Sequence, residues 1–255
     1  MYPIIRFFNF LIPTFGIFFL LGVGSAFLLA IFTARKYEIP TMDAMFFGLF
    51  GIIGGIVGAK LLYIIVALPT FITHPETIIL IFTGGTVFYG GLIGGILSGF
   101  LYTAIYRLKP VEYFDMAVPC LALAQGFGRI GCFFNGCCYG APYEGFCSVT
   151  YPVGSYPPSG IGLFPAQLVE SLFLFILTVV LLWVLKKSKT PGFTTGFYLI
   201  AYGIFRFINE FFRSDPRGSF LFFSTSQWIS LFVITLGILF LLKIPQKLYE
   251  KNWKK

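Results

Sequence analysis

The sequence predicts an all-α membrane protein of about seven transmembrane helices, with its N-terminus outside and its C-terminus in the cytoplasm. The 255 residues are 57% hydrophobic and only 11% charged, and their mean hydropathy is +0.87. A soluble domain carries roughly 25% charged residues, so this chain has too few charges to cover a water-facing surface. Several apolar runs also approach the ~20 residues that cross a bilayer. These observations exclude a soluble protein.

Seven apolar runs follow one another along the chain. They predict helices at residues 13–33, 44–67, 86–106, 113–137, 166–185, 194–212 and 226–243. The breaks between them carry proline or basic residues, as in Ala34-Arg35-Lys36 and Leu68-Pro69. The first run resembles a signal peptide, but it continues to Phe32 and is therefore predicted to be a retained helix. Since no linker or repeat divides the chain, we predict a single integral-membrane domain over residues 1–255.

The basic residues predict the orientation, because Lys and Arg are enriched in cytoplasmic loops. Of the 18 basic residues, 12 fall on one predicted side of the membrane. They are Arg35, Lys36, Arg107, Lys109, Lys186, Lys187, Lys189, Lys243, Lys247, Lys251, Lys254 and Lys255. That side is predicted to be the cytoplasmic face of the bacterial inner membrane. We assign the net charge of +8 to topology and to contacts with anionic membrane lipids, and predict no nucleic-acid partner.

Three cations fall inside predicted helices, in the outward half of the membrane. Lys60, Arg129 and Arg206 each lie about 20 to 24 Å from the inner end of their helix. Intramembrane charges are costly and mark sites, and guanidinium groups match phosphate oxygens. We therefore predict that Arg129 and Arg206 bind a lipid phosphate, with Glu210 pairing with Arg206 at i,i+4. The alternatives are a purely structural Arg206–Glu210 pair and a Lys60 side chain that extends to the outer surface.

The strongest local motif is Gly128-Arg129-Ile130-Gly131-Cys132-Phe133-Phe134-Asn135-Gly136-Cys137-Cys138-Tyr139-Gly140. No simple packing face needs this mixture of glycines, cation, amide and thiols. A structural zinc ion takes four ligands, and no nearby His or acid completes a set. The remaining interpretations are a redox pair between Cys132 and Cys137 or Cys138, and three small buried apolar side chains.

Glycines four residues apart in the second and third helices favour close helix packing. Gly90 and Gly91 follow Tyr89 at the outer end of their helix, where a close approach to a ligand is the alternative. We interpret His74, the only histidine of the chain, as non-catalytic. Glu144 and Glu170 receive no assignment from the sequence.

The Arg129 motif resembles the signature of the phosphatidylglycerol–prolipoprotein diacylglyceryl transferase family. Other segments agree with that family in order: Gly58-Ala59-Lys60-Leu61-Leu62-Tyr63, Phe88-Tyr89-Gly90-Gly91-Leu92-Ile93-Gly94, Phe164-Pro165-Ala166-Gln167-Leu168 and Tyr202-Gly203-Ile204-Phe205-Arg206-Phe207-Ile208-Asn209-Glu210-Phe211-Phe212-Arg213. The resemblance covers nearly the whole chain.

The resemblance implies an enzyme that transfers the diacylglyceryl group of phosphatidylglycerol to the lipobox cysteine of a prolipoprotein and releases glycerol phosphate. It implies no metal or organic cofactor, and an active site toward the outer leaflet. Arg129 and Arg206 would hold the phosphate, and Glu210 would orient Arg206. The residues expected to bind substrate are Lys60, Gly90, Gly91, Cys132, Asn135, Cys137 and Gly140.

Four positions depart from the family pattern. The family usually has His at Tyr89, Tyr at Phe15, Asn at Cys132 and an acid at Cys137. The first change removes the obvious general base, since a tyrosine has a pKa of about 10. Tyr89 is therefore expected to polarise or shuttle a proton, unless the acceptor thiol ionises by itself near the cations.

Two other classes of protein remain alternatives. One is a membrane thiol-redox protein that uses Cys132, Cys137 and Cys138. The other is a non-catalytic protein that binds or transports phospholipid.

Overall fold

The computed structural model describes residues 4–7, 10–74, 77, 79, 85–215, 219–220 and 222–243. Four lysines that contributed to the predicted orientation, Lys247, Lys251, Lys254 and Lys255, lie outside these residues. The chain divides into two compact units, a larger one of Met1–Lys36 with Asp115–Lys255 and a smaller one of Tyr37–Phe114. The single domain over residues 1–255 stays a prediction.

Helices account for most of the described chain. Those of 17 residues or more are α1 (Thr14–Ala34), α2 (Thr41–Thr73), α3 (Phe88–Ile105), α4 (Pro110–Asn135), α5 (Ala166–Lys187), α6 (Phe193–Asn209) and α7 (Thr225–Leu241). The helices α1 to α5 are long and apolar enough to cross a membrane, whereas α6 and α7 have 17 residues each. The fold class of an all-α membrane protein is confirmed.

Short antiparallel strand pairs accompany the helices. They are β1 (Ile4–Phe7) with β2 (Phe10–Pro13), β3 (Val149–Thr150) with β4 (Gly162–Leu163), and β5 (Ser219–Phe220) with β6 (Phe223–Ser224). The β3–β4 pair belongs to the segment between α4 and α5, and the β5–β6 pair precedes α7. These pairs organise connections rather than a core sheet.

The helix α2 is longer than the predicted 44–67, because Pro69 does not end it. A proline inside a helix removes one backbone hydrogen bond and often breaks the helix. Here the next turn continues, and the Thr73 hydroxyl donates to the carbonyl oxygens of Pro69 and Thr70, both at 3.1 Å. The helix therefore extends through Thr73 to a C-cap at His74.

Within the larger unit, a buried carboxylate joins α4 to the start of α6. Asp115 is fully buried and accepts hydrogen bonds from the Gly192 amide at 2.7 Å, the Thr195 amide at 2.8 Å and the Thr195 hydroxyl at 2.6 Å. A helix N-terminus leaves amide donors without intrahelical partners and favours a negative charge. Asp115 supplies both the acceptors and the charge.

Replacing Asp115 with Ala is expected to lower the free energy of unfolding by about 2 to 4 kcal/mol, because buried donors are left without an acceptor. Thermal unfolding of the purified protein in detergent measures the change. Glu112→Ala is the control, since its pair with the exposed Lys109, at 3.0 Å, is near the surface. That variant is expected to lose less than about 0.5 kcal/mol. Equal losses in the two variants would contradict this account of Asp115.

A second contact between helices sets the position of α5. The Ser171 hydroxyl donates to the Gly126 carbonyl oxygen of α4 at 2.8 Å and is buried there. A side chain on Gly126 would meet the Phe175 ring at 2.7 Å, so the glycine lets α5 approach closely. This contact brings Glu170, the neighbour of Ser171, toward the last turns of α4.

In the smaller unit, α2 and α3 pack through glycines. A Cβ on Gly58 would collide with the Gly90 carbonyl oxygen, and a Cβ on Gly94 would collide with that of Gly54. Gly91 faces the Gly55 carbonyl oxygen at 3.3 Å from an added Cβ. The small-residue spacing thus forms the helix contact that the sequence favours.

Candidate active site

Glu170 is the centre of a buried polar cluster in the larger unit. Its side chain has no exposed surface, and its Oε1 lies 3.1 Å from the Arg129 Nε. The Tyr202 hydroxyl donates to the same oxygen at 3.1 Å. On the other oxygen, Asn209 Nδ2 donates at 3.4 Å and Arg213 Nη1 lies at 3.9 Å. Because a buried charge needs such partners, these groups allow Glu170 to remain ionised.

Arg129 projects from the end of α4 toward this carboxylate. One fifth of its side chain remains exposed, whereas Glu170 has no exposed surface. Arg129 also hydrogen-bonds the Tyr202 oxygen, and Tyr202 lies within electrostatic range of both Arg129 and Arg206. A guanidinium group held on one side and accessible on another can accept a ligand anion.

Arg206 is more deeply buried and is held by two partners. Its Nη2 lies 2.8 Å from the Glu210 Oε2 and donates to the Ser226 hydroxyl at 3.1 Å. The ion pair that the i,i+4 spacing predicts is therefore present. The second Glu210 oxygen accepts from the Ser224 hydroxyl at 2.9 Å. The carboxylate that pairs with Arg206 is thus itself held by a neighbouring group.

The other terminal nitrogen of Arg206 is the exception in this arrangement. Among the described residues, Nη1 is buried and has no hydrogen-bond partner. A buried donor without an acceptor costs about 1 to 3 kcal/mol, so native proteins rarely keep one without a reason. An anionic oxygen of a bound ligand would satisfy it.

A third arginine completes the cluster. Arg213 has only 2% of its side chain exposed and forms a bidentate pair with Asp215, with Nε–Oδ1 at 3.1 Å and Nη2–Oδ2 at 3.2 Å. The three guanidinium groups are thereby matched by the carboxylates of Glu170, Glu210 and Asp215. This balance lets the cations remain charged in a buried environment.

The segment after α4 is joined to the end of α6 by backbone hydrogen bonds. The Ala141 amide donates to the Phe212 carbonyl oxygen at 2.9 Å, and the Phe164 amide donates to the Ala141 carbonyl oxygen at 2.9 Å. Gly140 pairs with Arg213 as an antiparallel bridge, and a Cβ on Gly140 would collide with the Phe164 carbonyl oxygen. Gly140 therefore permits the backbone approach that positions Arg213.

The sulfur atoms of Cys132, Cys137 and Cys138 all lie within 4.8 Å of one another, and the three thiols are free. Hydrogen bonds from the Cys132 and Cys137 thiols, together with the charges of Arg213 and Arg129, hold the pKa of Cys138 well below its usual range. The thiol cluster thus adjoins the arginine cluster. Asn135, the last residue of α4, interacts with the Cys137 thiol.

A family model for prolipoprotein diacylglyceryl transferase matches residues 3–243 of this sequence. The chain belongs to that family. The match confirms the resemblance that the motifs predict, and it favours a transferase over a thiol-redox or lipid-transport protein.

Curated relatives agree with the family match. A phosphatidylglycerol–prolipoprotein diacylglyceryl transferase of Clostridium tetani is 42% identical over 224 residues, which cover 88% of this chain and 90% of the relative. A second, from Clostridium perfringens, is 42% identical over 223 residues and covers 87% of each chain. A more distant one, from Idiomarina loihiensis, is 35% identical, with 81% of this chain and 77% of the relative covered.

In this member of the diacylglyceryl transferase family, the cluster contains four residues that the sequence did not assign to the site: Glu170, Tyr202, Asn209 and Arg213. A signal existed for each. Glu170 is an acid inside an apolar helix, where charges are rare and usually functional. The other three lie on the same helical face as Arg206, at steps of three or four residues.

The remaining predicted site residues belong to the smaller unit of this transferase-family chain. Lys60 donates from Nζ to the Gly85 carbonyl oxygen at 3.3 Å and lies 5.9 Å from the centre of the Tyr63 ring. Tyr89 is half-buried, with its ring edge-on to Phe88 at 5.8 Å. Gly90 and Gly91 face α2. The roles assigned to these four residues stay predictions.

Phe15 marks the position where the diacylglyceryl transferase family usually has Tyr. Its ring stacks on Phe19 at 6.5 Å, and a Cβ on Gly131 would meet the Phe15 ring at 3.1 Å. The ring therefore packs against α4 in the larger unit. This contact is apolar, and the position carries no hydroxyl.

Proposed function

We propose that this chain transfers the diacylglyceryl group of phosphatidylglycerol to the lipobox cysteine thiol in the signal-peptide region of prolipoproteins, and releases glycerol phosphate. The observation that carries the proposal is the family match over residues 3–243. The arginine cluster around Glu170 and Glu210 supplies the groups that such a reaction requires.

The chemistry creates charge on the leaving group. The acceptor sulfur forms a bond to the glyceryl carbon that carries the phosphate, and the bond between that carbon and the phosphate oxygen breaks. The oxygen keeps the electron pair, so a phosphodiester with one negative charge becomes a phosphomonoester with a second. Donors that bind this developing charge more strongly than the substrate accelerate the step.

Arg129 and Arg206 are proposed to bind the phosphate. The unpaired Nη1 of Arg206 and the partly exposed side chain of Arg129 are the features that support this assignment. Glu210 and Glu170 are proposed to orient the two arginines. Asn135 and Gly140 shape the same region through the segment that follows α4.

The active site is proposed to face the outer leaflet, with seven membrane spans, the N-terminus outside and the C-terminus in the cytoplasm. The basic residues at the ends of α1, α3 and α5 support this orientation under the positive-inside rule. A reporter fused after Lys255 that is active only in the cytoplasm tests it. Activity of a reporter that works only in the periplasm, fused at the same place, would reverse the assignment.

Complementation tests the activity directly. The chain is expressed in a bacterial strain depleted of its own diacylglyceryl transferase, and lipidation of a prolipoprotein is followed by mass spectrometry. Growth with lipidated prolipoprotein is the expected result. The matched control is the Arg129→Gln variant, which is expected to accumulate in the membrane without lipidation. Stable expression of the unaltered chain without lipidation would overturn the proposal.

Tyr89 is proposed to move the proton of the acceptor thiol, at the position where the family usually has His. Tyr89→Phe is expected to lower kcat about 100-fold, the range of general acid–base contributions. Tyr89→His is expected to retain activity and to introduce a pH dependence near pH ~6.5, where histidine titrates. The measurement is the pH profile of diacylglyceryl transfer. Full activity of Tyr89→Phe at every pH would remove Tyr89 from the mechanism.

A further inference from the structure

The three cysteines beside the arginine cluster form a built cluster rather than scattered thiols. The sulfur atoms of Cys132, Cys137 and Cys138 are mutually within 4.8 Å, although the residues come from the end of α4 and the turn that follows it. The other two cysteines lie apart from this cluster. Cys120 is buried against Thr33 at 3.6 Å, and Cys147 is exposed.

The backbone that carries the cluster adopts an unusual conformation. Gly136 has φ +75° and Cys138 has φ +62°, so a non-glycine residue occupies the left-handed region. Such a conformation costs of order 1 kcal/mol and persists where surrounding contacts enforce it. The nearly buried Gln167 enforces it here, because its Nε2 donates to the Cys137 carbonyl oxygen at 2.8 Å.

We propose that Cys132, Cys137 and Cys138 bind a soft, thiophilic metal ion such as Cu(I) in a three-coordinate thiolate site. Thiolate ligands select soft ions of this class. A metal–sulfur bond of ~2.3 Å in a trigonal plane places the sulfurs about 4.0 Å apart, which is within the spacing of this cluster. A three-coordinate ion also removes the need for the fourth ligand that a structural zinc ion requires.

The charges around the cluster fit such an ion. One monovalent cation and three thiolates carry two negative charges in total. Arg213 hydrogen-bonds Cys138, and Arg129 lies within electrostatic range of Cys132 and Cys138. Nearby cations favour ionised thiols, although both arginines are shared with the carboxylates of Asp215 and Glu170.

Binding forms three metal–sulfur bonds and releases the thiol protons to solvent, with no change of oxidation state. A disulfide would instead require an oxidant to accept two electrons, which no group in the cluster supplies. The proposal is independent of diacylglyceryl transfer, because metal binding is measured without substrate.

Cu(I) binding to the purified full-length protein tests the site. The protein is reduced with a phosphine under anaerobic conditions, and Cu(I) is titrated against a chromophoric Cu(I) chelator. One Cu(I) per chain is the expected stoichiometry. Cys132→Ser, Cys137→Ser and Cys138→Ser are each expected to weaken binding by at least about 100-fold. Cys147→Ser is the matched control and is expected to bind as the unaltered chain does.

Alkylation of the unaltered chain gives a second measurement that does not depend on the variants folding. Cu(I) is expected to protect Cys132, Cys137 and Cys138 from alkylation while Cys147 remains reactive, as read by mass spectrometry of peptides. Equal loss of Cu(I) in Cys147→Ser and Cys138→Ser, or no protection of the three cysteines, would overturn the proposal.

Discussion

Arg206→Gln is expected to lower kcat/KM for diacylglyceryl transfer by about 1,000-fold, the upper range for removing one preorganised donor to a developing oxyanion. Arg206 has a buried Nη1 with no partner among the described residues, while Nη2 lies between Glu210 and Ser226. Glutamine is too short to reach the same position and carries no charge. The measurement is steady-state transfer to a lipobox peptide in detergent micelles that contain phosphatidylglycerol.

The Arg206→Gln variant also leaves Glu210 as a buried, uncompensated charge, which commonly costs about 3 to 5 kcal/mol of stability. The double variant Arg206→Gln/Glu210→Gln separates this cost from catalysis. Its thermal unfolding is expected to recover toward that of the unaltered protein, whereas its activity is expected to stay as low as that of Arg206→Gln. Recovery of activity together with stability would show that the ion pair is only structural.

Local spacing explains why the Arg206 half of the site could be predicted from the sequence. Arg206 and Glu210 lie one helical turn apart, so any helix through them brings the two side chains together. The helices themselves were predictable for a similar reason, since apolar runs of sufficient length identify them. The largest difference in helix length, at Pro69 of α2, arises because the local turn beyond the proline keeps its hydrogen bonds.

The Arg129 half could not be predicted in the same way. Glu170 meets Arg129 only because α5 packs on α4 at Gly126, where the Ser171 hydroxyl contacts the backbone. Sequence spacing does not report which faces of two separate helices meet. The rarity of acids in apolar helices would have identified Glu170 as a site residue, but not its partner.

Glu170→Gln is expected to lower kcat about 100-fold, with a smaller change in KM. The glutamine side chain would retain the shape of the glutamate but not the charge that holds the Arg129 Nε at 3.1 Å. Arg129 would then lose its fixed orientation, and small misplacements of a catalytic group can cost about 100-fold in rate. The measurement is the dependence of the initial rate on phosphatidylglycerol concentration.

Glu144→Gln is the matched control, because Glu144 is an exposed acid of the segment between α4 and α5 and its replacement is expected to leave kcat unchanged. A double-variant cycle then separates positioning from general destabilisation. If Glu170 acts through Arg129, Arg129→Gln/Glu170→Gln is expected to be no less active than Arg129→Gln alone, because the residues act as a unit. Multiplying losses would instead mean that Glu170 contributes independently of Arg129, and its assigned role as the positioning group would be wrong.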